Sequence, residues 1–219
     1  MAQARARARG RHDRLTAAAP ILMKLEKRSY RIGPETGGLT LETRRDGFGA
    51  LIGHDLVLEA TRWSGTVVVD PDEPERSQVE VTVEAASLEV RRAEGGLKPL
   101  TDKDRDDIHR TIREKVLHTR EVPDIVFRST GVTGTGPALS VRGDLTIGGR
   151  TRPVTLAVDL DGRADGTLAT ATMTIVQTEF GIKPYSALMG ALRVRDSVDL
   201  HVDVKLDPSC AEGRAATGG

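Results

Sequence analysis

The chain has 219 residues with 32 basic and 32 acidic side chains, 38% hydrophobic and only 3% aromatic residues. Frequent turn-formers, 23 Gly and 10 Pro, exclude a coiled coil, a collagen and a long disordered chain, and no run of about 18 apolar residues encodes a membrane-spanning helix. The balanced charge hides a split, because residues 1–31 carry nine Lys or Arg against two acids, so that the start is basic and the body acidic.

At the start, Arg5, Arg7 and Arg9 alternate with Ala. Such a run can grip nucleic acid or an anionic membrane, or it can be a tail without a role, the true start then being Met1 or Met23. The stretch Leu15 to Met23 is Ala-rich, holds Pro20 and runs into Lys24, which is not the apolar core of a signal peptide. The sequence therefore predicts a cytoplasmic protein with a basic tail over residues 1–28. A specific nucleic-acid partner is not expected.

Beyond the tail, apolar residues recur with period 2, the mark of strands with one apolar face. In chain order the alternation runs through Leu39 and Leu41, then Trp63, Val67 and Val69, then Val79, Val81 and Val83. It resumes near Ile125 to Ser129 and in Val141, Leu145 and Ile147, and again in Val154, Leu156, Val158 and Leu160. A strand near Thr167 to Gln177 and the nine-residue run Val198 to Leu206 bring the expectation to eight strands. Turn chemistry separates them at Asp46-Gly47, Pro71 to Pro74, Thr133 to Pro137, Gly148-Gly149, Asp161-Gly162 and Asp165-Gly166, and such short spacings imply antiparallel hairpins. One segment differs: Lys103 to Leu117 places Ile108, Ile112 and Val116 four apart, one apolar stripe on a surface helix. Thr101 with Asp104 three residues on is its expected capping pair. Residues 208–219, including the lone Cys210, read as a small-residue tail.

Catalytic motifs are absent from the sequence: no nucleophile elbow, phosphate-binding loop, dinucleotide fingerprint or zinc-protease helix occurs. His109 and His118 are nine apart and would not share a metal on one helix. The acidic run Asp70, Asp72, Glu73 and Glu75 lacks the pattern of a calcium loop. His201 is expected to meet water. His54 next to Asp55 is the one pair that could poise an imidazole for base work. No catalytic residue, metal or cofactor is expected.

The order of motifs resembles the YceI-like family of polyisoprenoid-binding, lipocalin-shaped barrels from about Tyr30 to Asp207. The most specific stretch is Val141-Arg142-Gly143-Asp144-Leu145-Thr146-Ile147-Gly148-Gly149-Arg150-Thr151-Arg152-Pro153-Val154. Asp104-Arg105-Asp106, Pro123 to Ser129 and Phe180-Gly181-Ile182 follow in the family's order, and Phe48 to Asp55 with Trp63-Ser64-Gly65 is similar to its first hairpin. The resemblance implies an all-β fold over residues 29–207, an extended eight-stranded antiparallel barrel with one flanking helix. Its lumen would carry a long isoprenoid or fatty-acid-like amphiphile without chemistry. Many members are secreted, whereas this sequence shows no signal peptide.

The expected lumen wall is Leu41, Phe48, Leu51, Trp63, Val67, Val81, Val83, Phe127, Leu145, Leu156, Phe180, Tyr185 and Met189, with His54 and Ser186 at the mouth for a head group. Two rival classes stay open. One is an enzyme on a small amphiphile using His54 and Asp55; the other is an interaction scaffold whose basic tail contacts an anionic partner. A homodimer is also left open.

Overall fold

The computed structural model describes residues 25–163 and 165–207; the expected tail residues 1–24 and 208–219, with Cys210, lie outside them. Within the described residues the chain is all-β with one helix. The strands are β1 (Arg28–Ile32), β2 (Gly37–Asp46), β3 (His54–Ala60), β4 (Trp63–Val69), β5 (Gln78–Glu84) and β6 (Leu88–Gly95). After helix α1 (Asp102–Thr111) come β7 (Asp124–Thr135), β8 (Ala138–Ile147), β9 (Arg150–Arg163), β10 (Gly166–Val176), the two-residue β11 (Ser186–Ala187) and β12 (Leu192–Leu206).

Twelve strands thus replace the eight expected, in one antiparallel sheet ordered β1-β4-β5-β7-β8-β9-β10-β12-β2-β3-β6, with β11 on β12. The excess has a local cause in bent strands. Ile32 faces Gly65 in the β1–β4 ladder and Thr40 faces Glu59 in the β2–β3 ladder, so the register shifts by only two residues across the break. Trp63 faces Val83 in the β4–β5 ladder and Ala60 faces Leu88 in the β3–β6 ladder, again nearly continuous. Each of these strands bends once, at Gly33 to Thr36, at Thr61-Arg62 and at Ala85 to Ser87, and each bend divides it in two.

The ladder order ends at β1 and β6, which do not pair with each other, and the sheet curls round on itself through β1 and β2, the two halves of one bent strand. Beside β6 the helix takes the place of a strand. The Arg105 guanidinium donates to the Val90 carbonyl at 2.9 Å, and a ring nitrogen of His109 lies 3.2 Å from the Ala86 carbonyl. Helix α1 starts where its capping pair predicts: the Thr101 hydroxyl accepts from the Asp104 backbone N–H, and the Asp104 carboxylate accepts from the Thr101 N–H. It runs on into a wider π-helical turn at Ile112–Val116.

Two apolar clusters organise the interior. One packs Tyr30, Ile32, Trp63, Leu88, Leu160, Val204 and Leu206 and fills one end of the curl. Leu25 is buried in the same cluster, and Lys27 pairs with Asp70 at 2.6 Å. Contacts with the packed end thus reach back to Leu25 and Lys27, within the residues 1–28 read as a tail. The second cluster groups Phe127, Val132, Val141, Leu145, Ile147, Phe180 and Ile182.

Candidate functional site

Between these clusters the curl is hollow. A cavity of about 750 Å³ runs from the packed end toward the loops that join β2 to β3, β6 to α1 and β10 to β12. The inward faces of the strands supply Leu39, Leu41, Leu58, Val81, Val83, Leu145, Leu156, Met173, Leu200 and Val202 as its wall. Helix α1 and the turn after it supply Ile108, Ile112, Val116 and Leu117. The stripe expected on a surface helix therefore faces the hollow, because the helix fills the gap where β6 lacks a second strand partner.

Of the expected wall, Leu41, Val81, Val83, Phe127, Leu145, Leu156 and Tyr185 line the cavity. Trp63 and Val67 do not: both belong to the packed end, where the alternating face of β4 meets Tyr30 and Ile32. Phe180 is buried against Phe127 and Ile147 in the second cluster, behind the wall. Phe48, Leu51 and Met189 lie outside the cavity and are exposed to solvent. Their loops carry them past the strand ends, where alternation no longer dictates a side chain's direction. Ser186 is exposed on β11 and does not line the cavity.

Polar groups gather at the open end. His54 lines the cavity and holds its Nε2 2.9 Å from the Lys98 carbonyl, fastening the β6–α1 loop to the start of β3. Asp55, its neighbour in β3, projects to the opposite face. The Asp55 carboxylate accepts the Arg45 backbone N–H at 2.8 Å and faces the Arg45 guanidinium at 3.9 Å. The expected His54/Asp55 pair is thus not assembled into a hydrogen-bonded dyad. Arg45 donates to the Gly53 and Glu94 carbonyls at 2.7 and 3.3 Å, so its charge braces loop backbone. Asp104 also reaches the cavity edge. Hydrogen bonds from the Thr101 hydroxyl and backbone N–H hold its carboxyl below the ordinary carboxylate value, with Lys103 and His54 assisting. The Tyr185 side chain stands at the mouth, and no hydrogen bond to it is formed among the described residues.

His201 is exposed, and the His109 ring is directed at the Ala86 carbonyl. No cluster of three or more metal-ligating side chains occurs among the described residues.

Residues 30–206 match the family profile of the YceI-like domain. The chain belongs to the YceI-like family. A 103-residue stretch is 34% identical to Protein YceI of Escherichia coli O157:H7, covering 47% of this chain and 48% of that protein. Protein YceI of Salmonella arizonae is 32% identical over the same length. The match thus spans about half the length of these curated relatives. Among solved structures, BcnA of Burkholderia cenocepacia superposes with a TM-score of 0.60 at 14% identity, over 77% of this chain and 94% of that one. The Campylobacter jejuni YCEI protein gives 0.51 at 18% identity, over 69% and 82%. At such identities the superpositions establish the fold. The cavity is a feature of this YceI-like chain itself.

Proposed function

We propose that this YceI-like protein carries a long apolar amphiphile, isoprenoid- or fatty-acid-like, in the hollow of its curled sheet, without chemistry of its own. The cavity carries this reading. Protein interiors are normally close-packed, and unfilled core volume costs roughly 24 cal/mol per Å³. Scaled to about 750 Å³, the forgone packing is roughly 18 kcal/mol, at or above the whole stability of a domain. Stability alone would favour larger side chains there. An occupant is the physical reason to keep the space open.

The wall chemistry narrows the occupant's class. Strand faces of Leu, Val, Ile and Met offer contact area and few hydrogen bonds. Each methylene buried contributes about 0.8 kcal/mol, so affinity grows with chain length and selectivity for the tail is modest. The polar end of the ligand would sit beside Tyr185 and His54. Arg45 is already engaged with backbone carbonyls and supports the loops instead.

Native mass spectrometry of the purified full chain, followed by organic extraction, tests the proposal. The expected result is a discrete mass increment, lost on extraction, that belongs to an amphiphile with a long hydrocarbon tail. A chain that emerges ligand-free and neither takes up nor retains added isoprenoid or fatty acid would overturn it.

A further inference from the structure

The open end of the curl displays apolar side chains that the cavity does not use. Phe48 and Leu51 on the β2–β3 loop, Leu97 after β6, and Leu188 and Met189 before β12 are all exposed; Phe48 at 102% and Met189 at 107% are as open as in an extended peptide. The loops adjoin. The Gly49 N–H donates to the Ala191 carbonyl at 2.8 Å, and Gly96 packs under the His54 ring. Two stretches here, Gly47 to Gly53 and Pro184 to Leu192, contain no charged residue.

The display is held under strain. Leu188 and Met189 have φ of 52° and 53°, left-handed values that a bulky side chain adopts at a cost. A loop shaped only by stability would relax and turn these side chains inward. Around the uncharged tips stand Lys98, Lys183 and Arg193, all exposed and without an ion pair among the described residues, with the exposed Asp46 opposite Arg193 in the β2–β12 ladder and Asp104 set back at the cavity edge. Apolar tips flanked by these three cations complement an anionic bilayer, where apolar side chains enter the acyl boundary and cations meet the phosphates.

We infer that the rim formed by Phe48, Leu51, Leu97, Leu188 and Met189 docks on an anionic phospholipid surface, with the cavity mouth facing the membrane. The exposed rim carries this inference. Its preference for a bilayer over a second copy of the chain rests on the carrier reading, because two rims pressed together would seal both mouths, whereas a bilayer opens the mouth to lipid.

The test is flotation of the full-length chain with vesicles of phosphatidylcholine alone and of phosphatidylcholine mixed with phosphatidylglycerol. The chain is expected to float with the mixed vesicles. Phe48→Glu combined with Met189→Glu is expected to weaken that binding by at least about tenfold, since each side chain loses the burial of a large apolar group. Both side chains are fully exposed and off the cavity, so the circular dichroism and the co-purifying mass are expected to stay unchanged. The variant keeps the basic N-terminal residues, so undiminished binding would assign the contact to them and overturn the inference. Failure of the unaltered chain to float would overturn it too, as would a dimer, dissolved by the double variant, that never binds vesicles. If the Glu variant misfolds, Phe48→Ser with Met189→Ser reads out the same loss. Ligand content and uptake are measured separately, so a ligand-free chain that takes up no added isoprenoid or fatty acid and still floats would sink the carrier reading and leave the rim standing.

Discussion

At the level of single residues, Asp70 and Lys27 show how an isolated charge pair anchors the edge of the domain. Asp70 is nearly buried, accepts the Glu73 N–H at 3.2 Å and pairs with an exposed Lys27 at 2.6 Å. The hydrogen-bonded Lys27 ammonium holds the Asp70 carboxyl below its ordinary 3.8 against the opposing effect of burial, and the Glu73 N–H assists. A carboxyl with a depressed folded-state pKa stabilises the fold above its ordinary pKa, and that contribution is lost as pH falls through the lowered value. Asp70→Asn is therefore expected to lower the urea midpoint at neutral pH and to lose that deficit in acid below pH 3.8. A deficit that persists unchanged into strong acid would show that the charge is not its source. Gly143, inside the most specific family motif, has an equally local explanation. A Cβ there would meet the Phe127 ring at 2.4 Å and the Arg128 carbonyl oxygen at 2.5 Å, so β7 and β8 can approach this closely only with Gly at this position.

Among the elements, helix α1 departs furthest from its sequence reading. Its stripe of Ile108, Ile112 and Val116 was legible from spacing alone, as was the Thr101–Asp104 cap. The partner of that stripe was not, because periodicity shows which face is apolar and says nothing about what covers it. In the structure the stripe replaces a strand at the edge of β6 and closes one side of the cavity. Thr101→Ala removes the cap and is expected to cost about 1 kcal/mol of stability in urea denaturation. Because the same helix forms the wall, the variant is also expected to release its amphiphile faster. Destabilisation with an unaltered release rate would separate the helix from the site. Two of the three strand bends are similarly hidden in sequence. Alternation continues through Trp63, Val67 and Val69, whereas the breaks at Thr61-Arg62 and Ala85 to Ser87 carry no Gly or Pro to announce them.

On the scale of the whole molecule, one curled sheet is both a core and a container. The packed end around Tyr30 and Trp63 gives the fold its stability, and the open end forgoes packing to keep a hollow. Filling that hollow separates the two roles. Leu156→Trp with Leu200→Trp adds ring volume at two positions on the cavity wall, on β9 and β12. This variant is expected to lose at least about tenfold in amphiphile retention by native mass spectrometry, while its ligand-free form melts no lower than the ligand-free parent. Equal retention by the filled variant would place the ligand elsewhere.

The order of residues alone determined that this is an antiparallel β protein of the YceI-like family with one capped helix. It also marked Leu41, Val81, Val83, Phe127, Leu145 and Leu156 as inward-facing, because alternation is a local property of backbone geometry. Only the tertiary structure decided that Trp63 and Val67 plug one end while Leu156 lines a void, and that Phe48, Leu51 and Met189 point away from it into solvent. Those outcomes depend on the bend of each strand and the path of each loop. Such features are set by contacts between segments far apart in the chain, and a pattern of period 2 contains no record of them.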